Sequence, residues 1–195
     1  MNQAFQYQRL VLGYHGCDKS VADRVLSGND TLQKSEKPYD WLGHGIYFWE
    51  HGPDRAFEWA EEQAARKKIT TPDVLGAVIH LGNCLDMMDI RSTRILAEAY
   101  PGFKATYEAI GKEVPKNLSS KKGERDHLLR YRDCSMIAWL MKGFDNDAEF
   151  PAYDSVRGMF QEDEPAFEGS SIHMKSHIQI AIRNPACIIG YFRPL

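Results

Sequence analysis

The sequence predicts an α+β domain, on two observations. Short apolar runs of strand length, bounded by glycine, asparagine or proline, occur toward both ends of the chain, and stretches of helical character lie between them. No internal repeat or low-complexity tract breaks this pattern. At 195 residues the chain suits one domain carrying at most an insertion, so 1–195 is expected to fold as a unit.

Element by element, Arg9-Leu-Val-Leu-Gly-Tyr-His15 reads as a buried strand. Ser20 is the expected start of a helix, with Asp23 three residues on as its capping-box partner, and the helix stops near Gly28. Residues 29–43 are polar and aperiodic, and a loop of that length inside a compact domain is usually functional or disordered. Gly45-Ile-Tyr-Phe-Trp49 follows as an aromatic strand. Pro53 then opens a helix expected to run to about Lys68. Gly76-Ala-Val-Ile-His-Leu81 is the next strand, and after a Gly82-Asn83 turn Cys84-Leu-Asp-Met continues extended.

The stretch 91–143 differs in character. Residues 94–109 and 124–142 read as helices, with Gly143 as a plausible C-cap, and together they are expected to form a helical insertion. Strands return at Val156-Arg-Gly-Met-Phe160, at Ser176-His-Ile-Gln-Ile-Ala-Ile-Arg183 and at Ile188-Ile-Gly-Tyr-Phe192.

Composition excludes several classes. The chain is 43% hydrophobic and 26% charged, the balance of an ordinary globular protein. No run approaches the ~20 apolar residues of a membrane span, so no membrane partner is expected. Met1 to Arg9 lacks the apolar core of a signal peptide, which predicts a cytoplasmic protein. Cys17, Cys84, Cys134 and Cys187 form no CxxC pair and read as buried thiols of a reducing compartment. The net charge of −3 gives no global attraction to nucleic acid. Between 104 and 132, however, Lys104, Lys112, Lys116, Lys121, Lys122, Arg125, Arg130 and Arg132 cluster among interleaved acids. Two readings stand there: a solvated helical face, or a surface that meets RNA or another polyanion.

Three residues are candidates for chemistry, although each has an ordinary structural explanation. His15 in Gly-Tyr-His-Gly suits a satisfied core histidine, Tyr47 a packing aromatic, and Gln179 a hydrogen-bonded polar residue on an apolar strand. A metal reading of His173-Met-Lys-Ser-His177 needs a helix face to bring the rings together, and this segment reads as an extended loop, so no metal is expected.

In their order and contexts these strings resemble the histidine–tyrosine–glutamate signature of the diphtheria-toxin and poly(ADP-ribose) polymerase type of ADP-ribosyltransferase. Gly43-His-Gly-Ile-Tyr-Phe48 is similar to the second element of that signature almost letter for letter. Leu75-Gly-Ala-Val-Ile-His-Leu-Gly-Asn83 is similar to the strand and turn that follow it in the polymerases. Gln179-Ile-Ala-Ile-Arg-Asn-Pro-Ala-Cys-Ile188 aligns with the strand bearing the catalytic glutamate. The resemblance covers 11–85 and 153–195 and leaves 91–143 without a counterpart.

The resemblance implies an ADP-ribosyltransferase fold with a split, mixed β core, and NAD as substrate. Nicotinamide would stack on Tyr47, its carboxamide would meet the backbone at Gly16, and His15 would bond a ribose hydroxyl or the carboxamide side. His44 and Arg55 are further NAD-binding candidates, Arg55 for pyrophosphate or the nicotinamide edge at a helix start. Gln179 departs from the signature: its amide oxygen accepts a ribose hydroxyl, but it carries no charge and cannot act as a base. His177 stands where toxin relatives select or activate the acceptor, which makes it a candidate for handling the acceptor's proton.

The expected activity is transfer of a single ADP-ribose to a macromolecular acceptor, protein or RNA. By analogy the role is that of an intracellular toxin of a toxin–antitoxin or phage-defence system, with a cognate antitoxin as partner. An NAD glycohydrolase, a catalytically silent NAD- or ADP-ribose-binding module and a metal-dependent nuclease remain open beside it.

Overall fold

The computed structural model describes residues 9–119 and 128–195. Lys121, Lys122 and Arg125 of the basic stretch, and the expected helix start at Glu124, lie outside them. The elements are β1 (Leu10–Asp18), α1 (Lys19–Leu26), β2 (Ile46–Glu50), α2 (Pro53–Ala65), β3 (Pro72–His80), β4 (Cys84–Asp86), α3 (Ile90–Ala109), α4 (Tyr131–Asp145), β5 (Ser155–Phe160), β6 (His177–Ile182) and β7 (Ile188–Phe192). They build a mixed α+β structure on a seven-stranded sheet of order β4-β5-β6-β2-β1-β3-β7. Only β4 and β5 run parallel; every other neighbouring pair is antiparallel.

Side chains alternate between the faces of a strand, and the sheet uses both faces. On one, Val11, Cys17, Ile46, Phe48, Leu75, Ile79, Ile180 and Ile182 form the largest core with Ala22 and Val25 of α1. Each such large side chain stabilises by roughly 1.5–3 kcal/mol on full burial. On the other face, Val156, Phe160 and Ala181 pack with Ile137, Leu140 and Met141 of α4. The helical stretch is therefore part of the structure's packing: α4 seals the β5-β6 half of this face, and α3 packs against α4.

The β1-β3 half of the same face belongs to α2. That helix buries Ala56, Ala60 and Gln63, one small stripe at helical spacing. Gly16 of β1 lies directly beneath it, and a Cβ there would sit 2.2 Å from the Ala56 carbonyl oxygen. Glycine at 16 is thus required by the approach of α2. Tyr47, Trp49, His177 and Gln179 lie on this face, since Tyr47 pairs with Ala181 and Trp49 with Gln179. They occupy the seam between α2 and α4.

Local capping differs from the sequence expectation in two places. Asp18, not Ser20, caps α1: its carboxylate accepts from the Ser20 N–H at 2.9 Å. Asp18 also accepts from Thr70 and Thr71, and these donors hold its carboxyl well below the usual range. Asp23 pairs instead with Lys19 and Arg193. Gly143 does not cap α4, which continues through it to Asp145. The four cysteines are free and buried, in line with their reading as thiols.

Candidate active site

The three motif strands are neighbours, in the order β6-β2-β1. β1 and β2 pair only at Gly13↔Glu50 and Tyr14↔Trp49, whereas β1 continues to pair with β3 as far as Asp18↔Pro72. Beyond Tyr14 the first two strands part, and His15 and Gly16 stand at the opening. There His15 Nδ1 lies 2.7 Å from the Tyr47 carbonyl oxygen. A carbonyl only accepts, so Nδ1 carries the proton and Nε2 of the neutral ring remains an acceptor. Burial lowers the His15 pKa and keeps the ring neutral.

Tyr47 is fastened at its far end. Its hydroxyl donates to the Gly43 carbonyl oxygen at 2.6 Å and accepts from the Leu42 N–H at 2.9 Å. The half-buried ring packs against the core around Leu42 and Ile137, and burial raises its pKa well above the usual value. Tyr47 thus clamps the end of the 29–43 loop onto the sheet. That loop delivers Trp41, whose ring stacks beside His177 (centroids 6.3 Å apart, planes 22°) and touches Phe160 at 4.6 Å. The Trp41 indole N–H donates to the Leu128 carbonyl at 2.8 Å.

His177 and Gln179 sit on the same face of β6, two residues apart. His177 Nδ1 donates to the Lys175 carbonyl (2.7 Å), and Gln179 Nε2 lies 3.1 Å from His177 Nε2. Glu162 approaches the same ring nitrogen at 3.4 Å. Arg55 Nη2 reaches both oxygens of Glu162 at 3.3 Å. Burial lowers the His177 pKa to about 4, with the Arg55 and Arg130 charges acting in the same direction. Burial raises that of Glu162 against the pull of Arg55. Lys175 ties this segment to α2 through Glu58 (2.8 Å) and Glu62 (3.2 Å).

Among the described residues, Trp49 Nε1 and Arg55 Nε and Nη1 are buried without a hydrogen bond, although Nη1 has Glu58 at 3.6 Å as a looser counter-charge. Trp59, one helical turn beyond Arg55, lies against Gly16 and 5.9 Å from Trp49. The seam therefore offers aromatic surface and an acceptor on Gln179, while His15 reaches the parting of the strands from the opposite face, its ring beside Phe48.

The other candidates fall elsewhere. His44 is exposed and lines a shallow depression of about 120 Å³ between Leu42, Ile137, Met141, Asp145 and Arg183; none of His15, Tyr47, His177 or Gln179 lines it. His173 Nδ1 bonds the Asp163 carbonyl, and no group of three metal-ligating side chains gathers among the described residues. In the basic stretch, Lys104 pairs with Glu108 at the surface. Arg130 instead covers Trp41 at 4.4 Å and Phe160 at 4.9 Å, and Arg132 donates to the Pro115 carbonyl.

Sequence reasoning missed Trp41, Trp49, Trp59, Phe160 and Glu162. Two carried a signal: Trp59 by its i+4 spacing from Arg55 on one helix face, and Trp49 by its i+2 spacing from Tyr47 on one strand face. Compared with protein-family models, with curated proteins and with solved structures, the chain matches none. Among the described residues no helix is long and apolar enough to cross a membrane.

Proposed function

We propose that this chain is an NAD-dependent mono-ADP-ribosyltransferase of the histidine–tyrosine–glutamate type, on a split β core of that fold, with glutamine in the third position. The observation that carries the reading is the adjacency of the three motif strands, with His15 at their parting and bonded to the backbone of Tyr47. A coincidental string match has no reason to bring residues 15, 47 and 179 onto neighbouring strands.

In this reading nicotinamide enters the seam beside Gly16, His15 and Tyr47, with Trp49 and Trp59 as further aromatic surface. His15 Nε2 and Gln179 Oε1 accept ribose hydroxyls. As the nicotinamide–ribose bond breaks, the electron pair leaves with nicotinamide and positive charge grows on the ribose. A hydrogen bond from the 2′-hydroxyl to Gln179 then strengthens. An acceptor nucleophile on protein or RNA closes the new bond and releases its proton. Arg55 is engaged with Glu162 and more loosely with Glu58, so any part it takes in binding pyrophosphate requires it to leave one of these carboxylates. The cellular role, by analogy, is a cytoplasmic toxin restrained by a cognate antitoxin or serving phage defence.

The neutrality of Gln179 favours a second reading, a module that binds NAD or ADP-ribose without turnover. Incubation of the purified protein with NAD labelled in its adenylate half, with and without cell lysate, separates the two. Nicotinamide release with label on a macromolecule is expected. Release without labelled macromolecule would identify a glycohydrolase, and binding without release the silent module. Loss of label to protease or to nuclease names the acceptor class.

A further inference from the structure

The carboxamide of Gln179 is oriented by its neighbour. Nδ1 of His177 must carry the ring proton, because the Lys175 carbonyl 2.7 Å away can only accept. Nε2 then carries a lone pair, and only the NH₂ end of the Gln179 side chain, 3.1 Å away, can donate to it. The opposite end, Oε1, makes no hydrogen bond among the described residues. An acceptor is thus displayed and a donor hidden.

We propose that His177 is a positioning residue: as a neutral ring it turns Gln179 Oε1 toward the ligand's hydroxyl, and a proton on its Nε2 reverses the display. This rests on the ADP-ribosyltransferase reading above. A protonated Nε2 no longer accepts from Gln179; it donates to Glu162, whose Oε1 stands 3.4 Å away, or to a Gln179 rotated to offer its own oxygen. In either case the NH₂ group is released toward the ligand, where a hydroxyl finds a donor in place of an acceptor.

The surroundings set which state prevails. Arg55 of α2 and Arg130 at the start of α4 disfavour a charged ring, and Glu162 opposes them. Lys175 faces away into Glu58, Glu62 and Asp163, which neutralise it. With burial, the cations win, and the ring stays neutral down to about pH 4. The same logic explains the residue at 179. A glutamate would set its carboxylate against the Nε2 lone pair, so it matches a protonated histidine, whereas glutamine matches a neutral one.

The test needs no substrate for its first arm. Long-range ¹⁵N–¹H spectra of the full chain, labelled in histidine, report tautomer and titration of His177. The Nδ1–H tautomer is expected, with a midpoint well below 6.5. Gln179→Glu should raise that midpoint by about 1–3 pH units, as an adjacent anion does, and Glu162→Gln should lower it. An Nε2–H tautomer in the wild type, or a midpoint that neither variant moves, overturns the proposal. In the second arm, the acid limb of the kcat profile for NAD cleavage should follow the NMR midpoint from variant to variant, and a limb that ignores it also overturns the proposal. A protein that shows the expected spectra yet never cleaves NAD supports the His177–Gln179 coupling and refutes the assigned reaction.

Discussion

Buried Arg157 and largely buried Arg55 both stand beside carboxylates, on opposite faces of the sheet, and they differ in how completely they are satisfied. Arg157 of β5 donates from Nη2 to Glu50 at 2.8 Å and from Nε to the other oxygen of the same carboxylate. Its Nη1 reaches Asp86 at 2.9 Å, so every guanidinium nitrogen has a carboxylate partner. All three side chains are at most 8% exposed. Arg55 has one hydrogen-bonded nitrogen; among the described residues Nε and Nη1 have no hydrogen bond, Nη1 has only the looser Glu58 at 3.6 Å, and burial pushes the pKa of Glu162 upward. The first network is closed and links β5, β2 and β4. The second is looser, and its guanidinium lies over the Trp49 ring, 5.5 Å from the centroid. A fully bonded buried charge is explained by the fold; a partly bonded one calls for a further partner, an ordered water, an ion or a ligand.

The comparison breaks most visibly at Arg157. Replacing it with Met leaves Glu50 buried without its cation and Asp86 with the looser Arg9 pair at 3.9 Å, and breaking such a buried pair costs about 3–5 kcal/mol. Urea unfolding at pH 7 should show that loss, with NAD affinity unchanged in the fraction that stays folded. A loss below about 1 kcal/mol would mean that the triad is solvated in solution. Arg55→Met should produce the opposite profile: a smaller loss of stability, since its bonds are long and few, and a larger loss of NAD turnover.

Acid should act on the looser cluster next. In the unfolded chain His177 takes a proton near pH 6.5; in the folded state burial defers this to about 4. Between those values the unfolded state binds more protons, so stability falls as pH drops through that window, by up to about 3 kcal/mol. His15, also lowered by burial, contributes with the same sign. Denaturation between pH 7 and 4.5 should show the decline, and it should be shallower in His177→Gln. A His177→Gln profile as steep as that of the wild type would mean that this ring is not buried neutral.

Much of the fold was legible in the sequence, because strand length, glycine punctuation and Pro53 at a helix start are local signals. The site was legible only where a string carried it. Glu162 stands in Gln161-Glu-Asp-Glu164, which reads as a solvated acidic loop; its burial comes from Arg55, 107 residues away. Arg157 breaks an apolar strand, and its partner Glu50 is again 107 residues distant. Both depend on β5-β6-β2 adjacency, a long-range fact that no window of sequence encodes. Ser20 and Asp18 are both competent caps, and the choice fell to Asp18 because it also serves Thr70 and Thr71.

The smallest expected effect sharpens the comparison at Tyr47, which belongs to the closed type at its hydroxyl and to the candidate site at its ring. Tyr47→Phe keeps the aromatic face and removes the oxygen that joins the Leu42 N–H to the Gly43 carbonyl. Two buried backbone groups then lose their partner, at a cost of about 1–3 kcal/mol. If the ring serves NAD directly, affinity measured by calorimetry should stay within a factor of about three, less than the ~1–3 kcal/mol that loss of a whole aromatic stack costs. Tyr47→Ala should forfeit both contributions. Equal affinity losses in the Phe and Ala variants would show that the hydroxyl, through its hold on the loop carrying Trp41, is what matters to binding, and the ring would then be returned to the core around Leu42. Unaltered stability in Tyr47→Phe would sink the clamp itself.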